Sequence, residues 1–368
     1  MEIKAVRLSV IQMPLKQPFM THLGTVAARE ALIVEAEGKD GYVGYGEGVA
    51  FSSPWYTEET IKTSYHMIRD FLVPLLKNKG LGHPSEAFGL FKGIRRNHMA
   101  KSALETALWD LQAKRQGIPL SQLIGGTMEK IPSGVVVGHP DPTEAIRQIE
   151  GYLEAGYSRI KVKINPGNDV ELVSEIRRRF PDLQLMADAN SAYTLADASR
   201  LKALDEYGLL MIEQPLGHDD IVDHARLQAQ LATPICLDES IVTFDDARKA
   251  IELGSCRVIN IKAGRVGGLG EAKRIHDYCF AKGIPVWAGG MIEFGISRAH
   301  NIALASMQGF TIPGDISGSA RYWEEDIIKP EVRVENGFIH VPDQPGIGYE
   351  LNRKRLKEVT TFKEEYIF

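Results

Sequence analysis

At 368 residues the chain is too long for one ordinary domain and too short for three, so a large domain with a smaller one attached is expected. A composition of 44% hydrophobic and 25% charged residues excludes a disordered or fibrous chain. A formal charge of -5 without a Lys/Arg-rich block excludes the footprint of a nucleic-acid or membrane binder and favours a small-molecule partner.

The first residues interleave charges with Val6, Leu8 and Val10, which is strand alternation and not the apolar core of a signal peptide, so an untargeted, cytoplasmic start is expected. A second strand is predicted near Leu32–Glu35, followed by turns and aromatics over Gly41–Gly48. A helix should then begin at Thr57 as its cap, with Glu58 and Glu59 at its positive end and Ile61, Met67, Ile68 and Leu72 on one face. The next helix, Lys101–Gln116, should stop at Gly117 with Pro119 just beyond. Residues 1–126 therefore read as an α+β capping domain.

From about Ile131 short apolar runs alternate with amphipathic helices, the signature of a parallel sheet or barrel. Asp141, Pro142 and Glu144 make a helix start, Ile146, Ile149 and Leu153 its buried stripe, and Gly156 its end. Predicted strands are 134–137, 160–164, 183–187, 209–212, 235–237, 258–261, 284–287 and 311–312, enough to close an eight-stranded barrel over 127–320. The stretch 321–368 is polar and turn-rich and should return towards the cap. Cys236, Cys256 and Cys279 fall in apolar segments and should be buried and reduced.

Charged residues stand where the central strands stop: Lys161 and Lys163, Asp188, Glu213, Asp238 and Lys262. Their spacing of about 25 residues is one βα unit, so successive strands deliver them to one rim, where barrel enzymes keep their catalytic groups. Three converging carboxylates suit a hard divalent cation. Taken singly, each acid could equally be a helix cap or an ion pair. Lys161 and Lys163, two apart on a strand, share a face, and mutual repulsion with partial burial would lower a lysine pKa towards that of a base; alone, such a pair could be a solvated strand face. Lys262 arrives from across the barrel. The glycine-rich run 264–270 lacks phosphate-loop spacing and reads as a tight loop before a helix, and His139 as a loop histidine.

Lys161-Val-Lys163, Asp188-Ala-Asn190, Glu213-Gln-Pro215, Asp238-Glu239-Ser240 and Lys262 together closely resemble the enolase superfamily, muconate-lactonising subgroup. Within it, the segments Phe51–Thr57, Lys262–Gly268, Gly289–Glu293 (with Met291) and Pro313–Ser317 are similar to the o-succinylbenzoate synthase / N-acylamino acid racemase family. The resemblance implies a modified (β/α)7β TIM-like barrel with an N-terminal α+β cap, Mg²⁺ or Mn²⁺ on Asp188, Glu213 and Asp238, and a homo-oligomer. It further implies that Lys163 removes a proton beside a carboxylate to give an enediolate and then protonates a departing hydroxyl. Lys161 would tune it and Lys262 would supply fixed charge. Arg265 is marked as a modulator of Lys262, or as a simple ion pair; Ser133, Asn190, Met291 and Phe19 are candidate substrate contacts, and the loops 19–25 and 50–57 should close over the barrel.

The expected reaction is dehydration of a succinyl-hydroxycyclohexadiene carboxylate in menaquinone biosynthesis, with racemisation of N-acylamino acids as a side or main activity. Lys262 stands where mandelate racemase-like members use a His-Asp pair, and Asp315 lacks the second aspartate of dipeptide epimerases. Dipeptide epimerase, muconate cycloisomerase and a non-catalytic metal scaffold remain as alternatives.

Overall fold

The computed structural model describes residues 1–21 and 24–368, with the side chains of residues 19–25 left aside. In chain order the strands are β1 (Ile3–Thr21), β2 (Gly24–Gly38), β3 (Val43–Gly48), β4 (Lys130–Pro132), β5 (Val135–Val137), β6 (Arg159–Lys163), β7 (Gln184–Asp188) and β8 (Ile212–Glu213). They continue as β9 (Ile235–Leu237), β10 (Val258–Ile261), β11 (Val286–Ala288), β12 (Ile328–Lys329), β13 (Phe338–His340), β14 (Glu350–Leu351) and β15 (Thr360–Ile367).

Two sheets carry the architecture. An antiparallel sheet in the order β15-β1-β2-β3 lies against the helix His98–Gln116, so the last strand of the chain pairs with the first. That helix packs so closely on β3 that a Cβ on Gly44 or Gly46 would fall 2.0 Å from a helix carbonyl. The second sheet is a run of seven parallel strands, β5 to β11, in strict sequence order, each joined to the next through helical turns. Such a sheet, covered on its outer face, is buried on both sides, which is why its strands read as continuous apolar runs. One large core cluster runs through both sheets, and a small second one, Met186, Met211, Cys236, Val258 and Trp287, fills the inside of the barrel.

The eighth strand expected at 311–312 does not form a ladder. Isolated parallel bridges, Val286 to Phe310 and Ser133 to Gly314, carry the segment 310–314 between β11 and the start of β5 and close the ring. Pro313 has no N–H to donate, so a regular ladder is interrupted there. The seam is held instead by the buried guanidinium of Arg159, which donates to the Pro313 carbonyl at 2.7 and 3.1 Å and to Asp315 at 2.7 Å.

Helix starts differ from expectation at two places, and one of them is the helix His98–Gln116, which begins three residues before the expected Lys101. The helix Ile61–Met67 is capped by Thr60, whose side chain and that of Thr63 each accept the other's backbone N–H, and not by Thr57. The helix continues through a π-turn at Ile68–Leu72. Glu59 takes only the Ser64 hydroxyl of this helix, at 3.4 Å; its carboxylate accepts Met99 N–H at 2.8 Å and Ala100 N–H at 3.0 Å in the first turn of His98–Gln116. That second helix ends as expected at Gly117, whose φ of 67° suits glycine. Asp141 caps Pro142–Glu154 by accepting Glu144 N–H, again as expected. All three cysteines are free and buried. No described helix is long and apolar enough to cross a membrane.

Candidate active site

Parallel register sets the first row of the site. Lys163 on β6 stands beside Asp188 on β7, and Asp188 beside Glu213 on β8. One step further along the chain path, Asp238 follows the end of β9 and Lys262 follows the end of β10. The five residues occupy the C-terminal ends of five adjacent parallel strands because each βα unit repeats at nearly the same length. Lys161, two residues before Lys163, shares its face and lines the same cavity. The cavity, about 790 Å³, lies over these strand ends and is walled on the cap side by Phe51, Trp55 and Tyr56. Those rings pack on one another, and Phe51 lies under the guanidinium of Arg29, which fixes the cap loop by donating to the Val49 and Ala50 carbonyls.

Each ammonium group is met by carboxylates. Lys161 Nζ lies 2.5 Å from Asp315, 3.0 Å from Glu213 and 3.2 Å from Asp188. Lys163 donates to Asp188 at 2.7 Å and to Asn190 at 2.6 Å. Lys262 donates to Asp238 at 2.8 Å and to the Tyr56 hydroxyl at 2.9 Å. Arg265, fully buried, pairs with the other oxygen of Asp238 and anchors itself to the carbonyls of Ile241 and Asn260 at 2.7 and 2.6 Å. Asn260 in turn donates to Glu213 at 2.7 Å.

The electrostatics follow from those pairings. Burial disfavours the Lys161 ammonium, but Asp315, Glu213 and Asp188 outweigh it and raise its pKa above the ordinary lysine value. The depression expected from Lys163 is thus reversed, because the nearest neighbours of Lys161 are anions. Lys262 is likewise raised in spite of burial, by Tyr56, Glu239 and Glu213. Burial alone would raise Asp188; Lys163 and Lys161 hold it well below the usual carboxylate range. Glu213 is pushed up by burial and by Asp188.

The donor set fits a hard divalent cation in kind: Asp188, Glu213 and Asp238 offer only oxygen, and half-buried Glu239 beside them has one buried carboxylate oxygen without a partner among the described residues. The described residues do not form a ready cage of three such side chains, because the lysines and Arg265 occupy the oxygens. A cation would therefore enter by taking over carboxylate contacts now made by ammonium groups.

Asn190 and Met291 line the cavity. Arg265 stands behind Asp238 and not on the cavity wall. Ser133 is misplaced by the sequence reading: it is fully buried in the seam, its hydroxyl donating to the Ile316 carbonyl at 2.6 Å, because its strand position faces the closing segment and not the mouth. The Phe19 side chain, and with it the loop 19–25, lies outside the described side chains. His139 accepts Asp141 N–H in its loop and does not line the cavity. In the run 264–270, Gly267 and Gly268 turn at φ 100° and 126° into the helix Leu269–Ala281, whose first N–H groups are accepted by buried Glu105. Residues that sequence reasoning missed are Tyr56, Glu239 and Asp315. Glu239 and Asp315 were signalled by their places beside Asp238 and at the last strand position; Tyr56 lies in the loop 50–57, which lines the cavity as expected, but was not singled out within it.

Comparison with known proteins gives the family. Residues 3–125 match the mandelate racemase / muconate lactonizing enzyme N-terminal domain, and residues 144–355 match the enolase C-terminal domain-like family. The chain belongs to the enolase superfamily. It is 59% identical over 365 residues to an o-succinylbenzoate synthase of Geobacillus stearothermophilus, covering 99% of this chain and 97% of that one. It is 45% identical over 364 residues to an N-succinylamino acid racemase of Thermus thermophilus, covering 99% and 98%. The crystal structure of an enolase-superfamily protein from Listeria innocua superposes with a TM-score of 0.98 at 44% identity, covering 100% of this chain and 99% of the other. Among enolase-superfamily chains, then, this one matches both domains over nearly its full length.

Proposed function

We propose that this enolase-superfamily chain is an o-succinylbenzoate synthase that dehydrates a succinyl-hydroxycyclohexadiene carboxylate and racemises N-acylamino acids as a side activity. The observation that carries the reading is the pair Lys163 and Lys262 in one cavity, four strands apart, with the carboxylates Asp188, Glu213 and Asp238 on the strand ends between them. Its support from relatives is the 59% identity to a synthase across the whole chain.

Mg²⁺ or Mn²⁺ held by Asp188, Glu213 and Asp238 would supply positive charge to the substrate carboxylate as the neighbouring carbon loses its proton. Lys163, as the free amine, takes that proton. The resulting ammonium lies on the side of the departing hydroxyl and returns the proton to it, so the C–O bond breaks, water leaves and the ring becomes aromatic. Lys262, positioned by Asp238 and Tyr56, remains a fixed cation in dehydration and becomes the second acid/base in racemisation. Lys161, gripped by three carboxylates, serves as a stationary charge beside the substrate carboxylate and takes no proton. Arg265 holds Asp238 from behind.

The same reading divides the chain into a cap over 1–126, a barrel over 127–320 and a returning segment over 321–368, places the reaction in menaquinone biosynthesis, and gives a homo-oligomer in the cytoplasm, where free cysteines stay reduced. The racemase of Thermus thermophilus favours a second reading in which racemisation is the main activity. Measuring kcat/KM for the cyclohexadiene acid against N-succinyl amino acids, with Mg²⁺ and after chelation, tests both. No dehydration in the cation-loaded protein would overturn the synthase reading.

A further inference from the structure

The proposed substrates carry two carboxylates: one next to the carbon that loses its proton and one at the far end of the succinyl arm. The cavity offers four cationic side chains among its described lining residues, Lys161, Lys163, Lys262 and Arg96. The three lysines sit at the strand ends and are tied to Asp315, Asp188 and Asp238. Arg96 differs in every respect. It comes from the cap, is exposed, and makes no ion pair or hydrogen bond among the described residues.

Its backbone is unusual as well. Arg96 and Asn97 both lie at φ 53°, two consecutive non-glycine residues in the left-handed region. The bend is held on several sides: Asn97 donates its side-chain amide to the Arg95 carbonyl at 2.8 Å, Lys101 reaches back to the Ile94 carbonyl, and Glu59 accepts the N–H groups of Met99 and Ala100. Strain fixed this firmly beside a cavity is what functional loops show. The helix end that follows Arg96 is already satisfied by Glu59, so the guanidinium, and not the helix terminus, is the group left to meet an anion. Glu58, Asp219 and Asp246 share the rim. Arg96 is therefore a single cationic contact at the mouth and not part of a general positive patch.

We infer that Arg96 forms a distal anion subsite at the cavity mouth that takes the terminal carboxylate of the succinyl arm. The inference rests on the dicarboxylate substrates of the proposed function. A guanidinium is suited to it, since its planar fork can receive both oxygens of a carboxylate at once. The first carboxylate goes to the strand ends, the second to Arg96, and the arm between them sets which acyl groups fit.

The test compares an N-succinyl amino acid with its terminal carboxamide, which has the same shape but no distal charge. Wild-type, Arg96→Gln and Arg96→Lys proteins are assayed with Mn²⁺ for α-proton exchange in D₂O, and the binding of both acids is measured by calorimetry. Arg96→Gln should raise KM for the succinyl compound about tenfold more than for the carboxamide, with the lysine variant in between. Equal effects of Arg96→Gln on the two compounds, or a wild type that prefers the carboxamide, would overturn the subsite. A wild type that binds the succinyl compound selectively yet exchanges neither would sink the functional reading and leave the subsite standing.

Discussion

Lys163 and Lys262 differ in what holds them, and that difference is measurable. Lys163 is the more open of the two and is tied to Asp188 and Asn190, whereas Lys262 is buried between Asp238 and Tyr56. If they flank the carbon that loses its proton, each exchanges that proton in only one enantiomer of an N-acyl amino acid. Lys262→Ala should therefore abolish racemisation while keeping slow exchange of the enantiomer facing Lys163, and Lys163→Ala should show the mirror pattern, both read by NMR in D₂O. Racemisation at the wild-type rate by either variant contradicts the two-sided arrangement. Asp315 supplies a second residue-scale prediction. It is the nearest anion to Lys161 and is itself held by Arg159. Asp315→Asn leaves both cations short of a partner in a buried place, so it should cost about 1–3 kcal/mol of stability in denaturant titration and lower turnover at least about tenfold. Unchanged stability would mean that water replaces the carboxylate at little cost.

At the scale of elements, three of the longer helices start without a side-chain cap from their own N-cap residue: Asn97, Gly268 and Phe294 make none. Their first N–H groups are accepted by glutamates from the cap part of the chain, Glu59, Glu105 and Glu47 in that order. Glu105 and Glu47 thereby bind cap to barrel, since the helices they serve, Leu269–Ala281 and Gly295–Ala305, belong to the barrel. Burial pushes the Glu47 carboxyl up to about 8 and that of Glu105 up to about 7. A carboxyl raised in the folded state holds its proton where the unfolded chain has lost it. Its contribution is complete below the unfolded value of 4.5 and is lost as pH rises through the folded value. Thermal stability should therefore decline between about pH 5 and 8, with a slope of up to ~1.4 kcal/mol per pH unit for each such proton. Glu47→Gln should flatten that decline while costing about 1 kcal/mol near pH 5, because an amide has one acceptor for two N–H groups. A variant with the wild-type slope would show that Glu47 is ionised throughout this range.

For the whole molecule, the pairing of Asp188, Glu213 and Asp238 with cations has a thermodynamic consequence. A divalent cation held there would displace internal ion pairs, so its effect on stability would report the site even without turnover. Saturating Mg²⁺ or Mn²⁺, at about 100 times Kd, should add ~2.7 kcal/mol and raise Tm measurably, and Glu213→Gln should lose most of that rise. Full activity and an unchanged Tm in exhaustively chelated protein would remove the cation from the reading.

The order of elements, the parallel barrel, the row of strand-end charges and the family resemblance were all legible in the sequence, because a βα repeat of nearly constant length imposes them locally. Asp141 and Gly117 could be placed for the same reason, since a cap or a left-handed turn depends on a few neighbouring residues. What lay beyond reach depended on contacts between distant residues. Thr57 gave way to Thr60 as the cap, Glu59 was drawn to a helix 40 residues away, and Ser133 turned into the seam because the segment near Pro313 closes the ring beside it. Arg96 reaches the cavity from the cap, as does Tyr56 from the loop 50–57 expected there, and no spacing along the chain says which side chain makes a contact across two domains. The state of Lys161 was decided in the same way: its partner two residues along was visible, but Asp315, more than 150 residues away, sets its charge, because Coulomb attraction acts between neighbours in space and not in sequence.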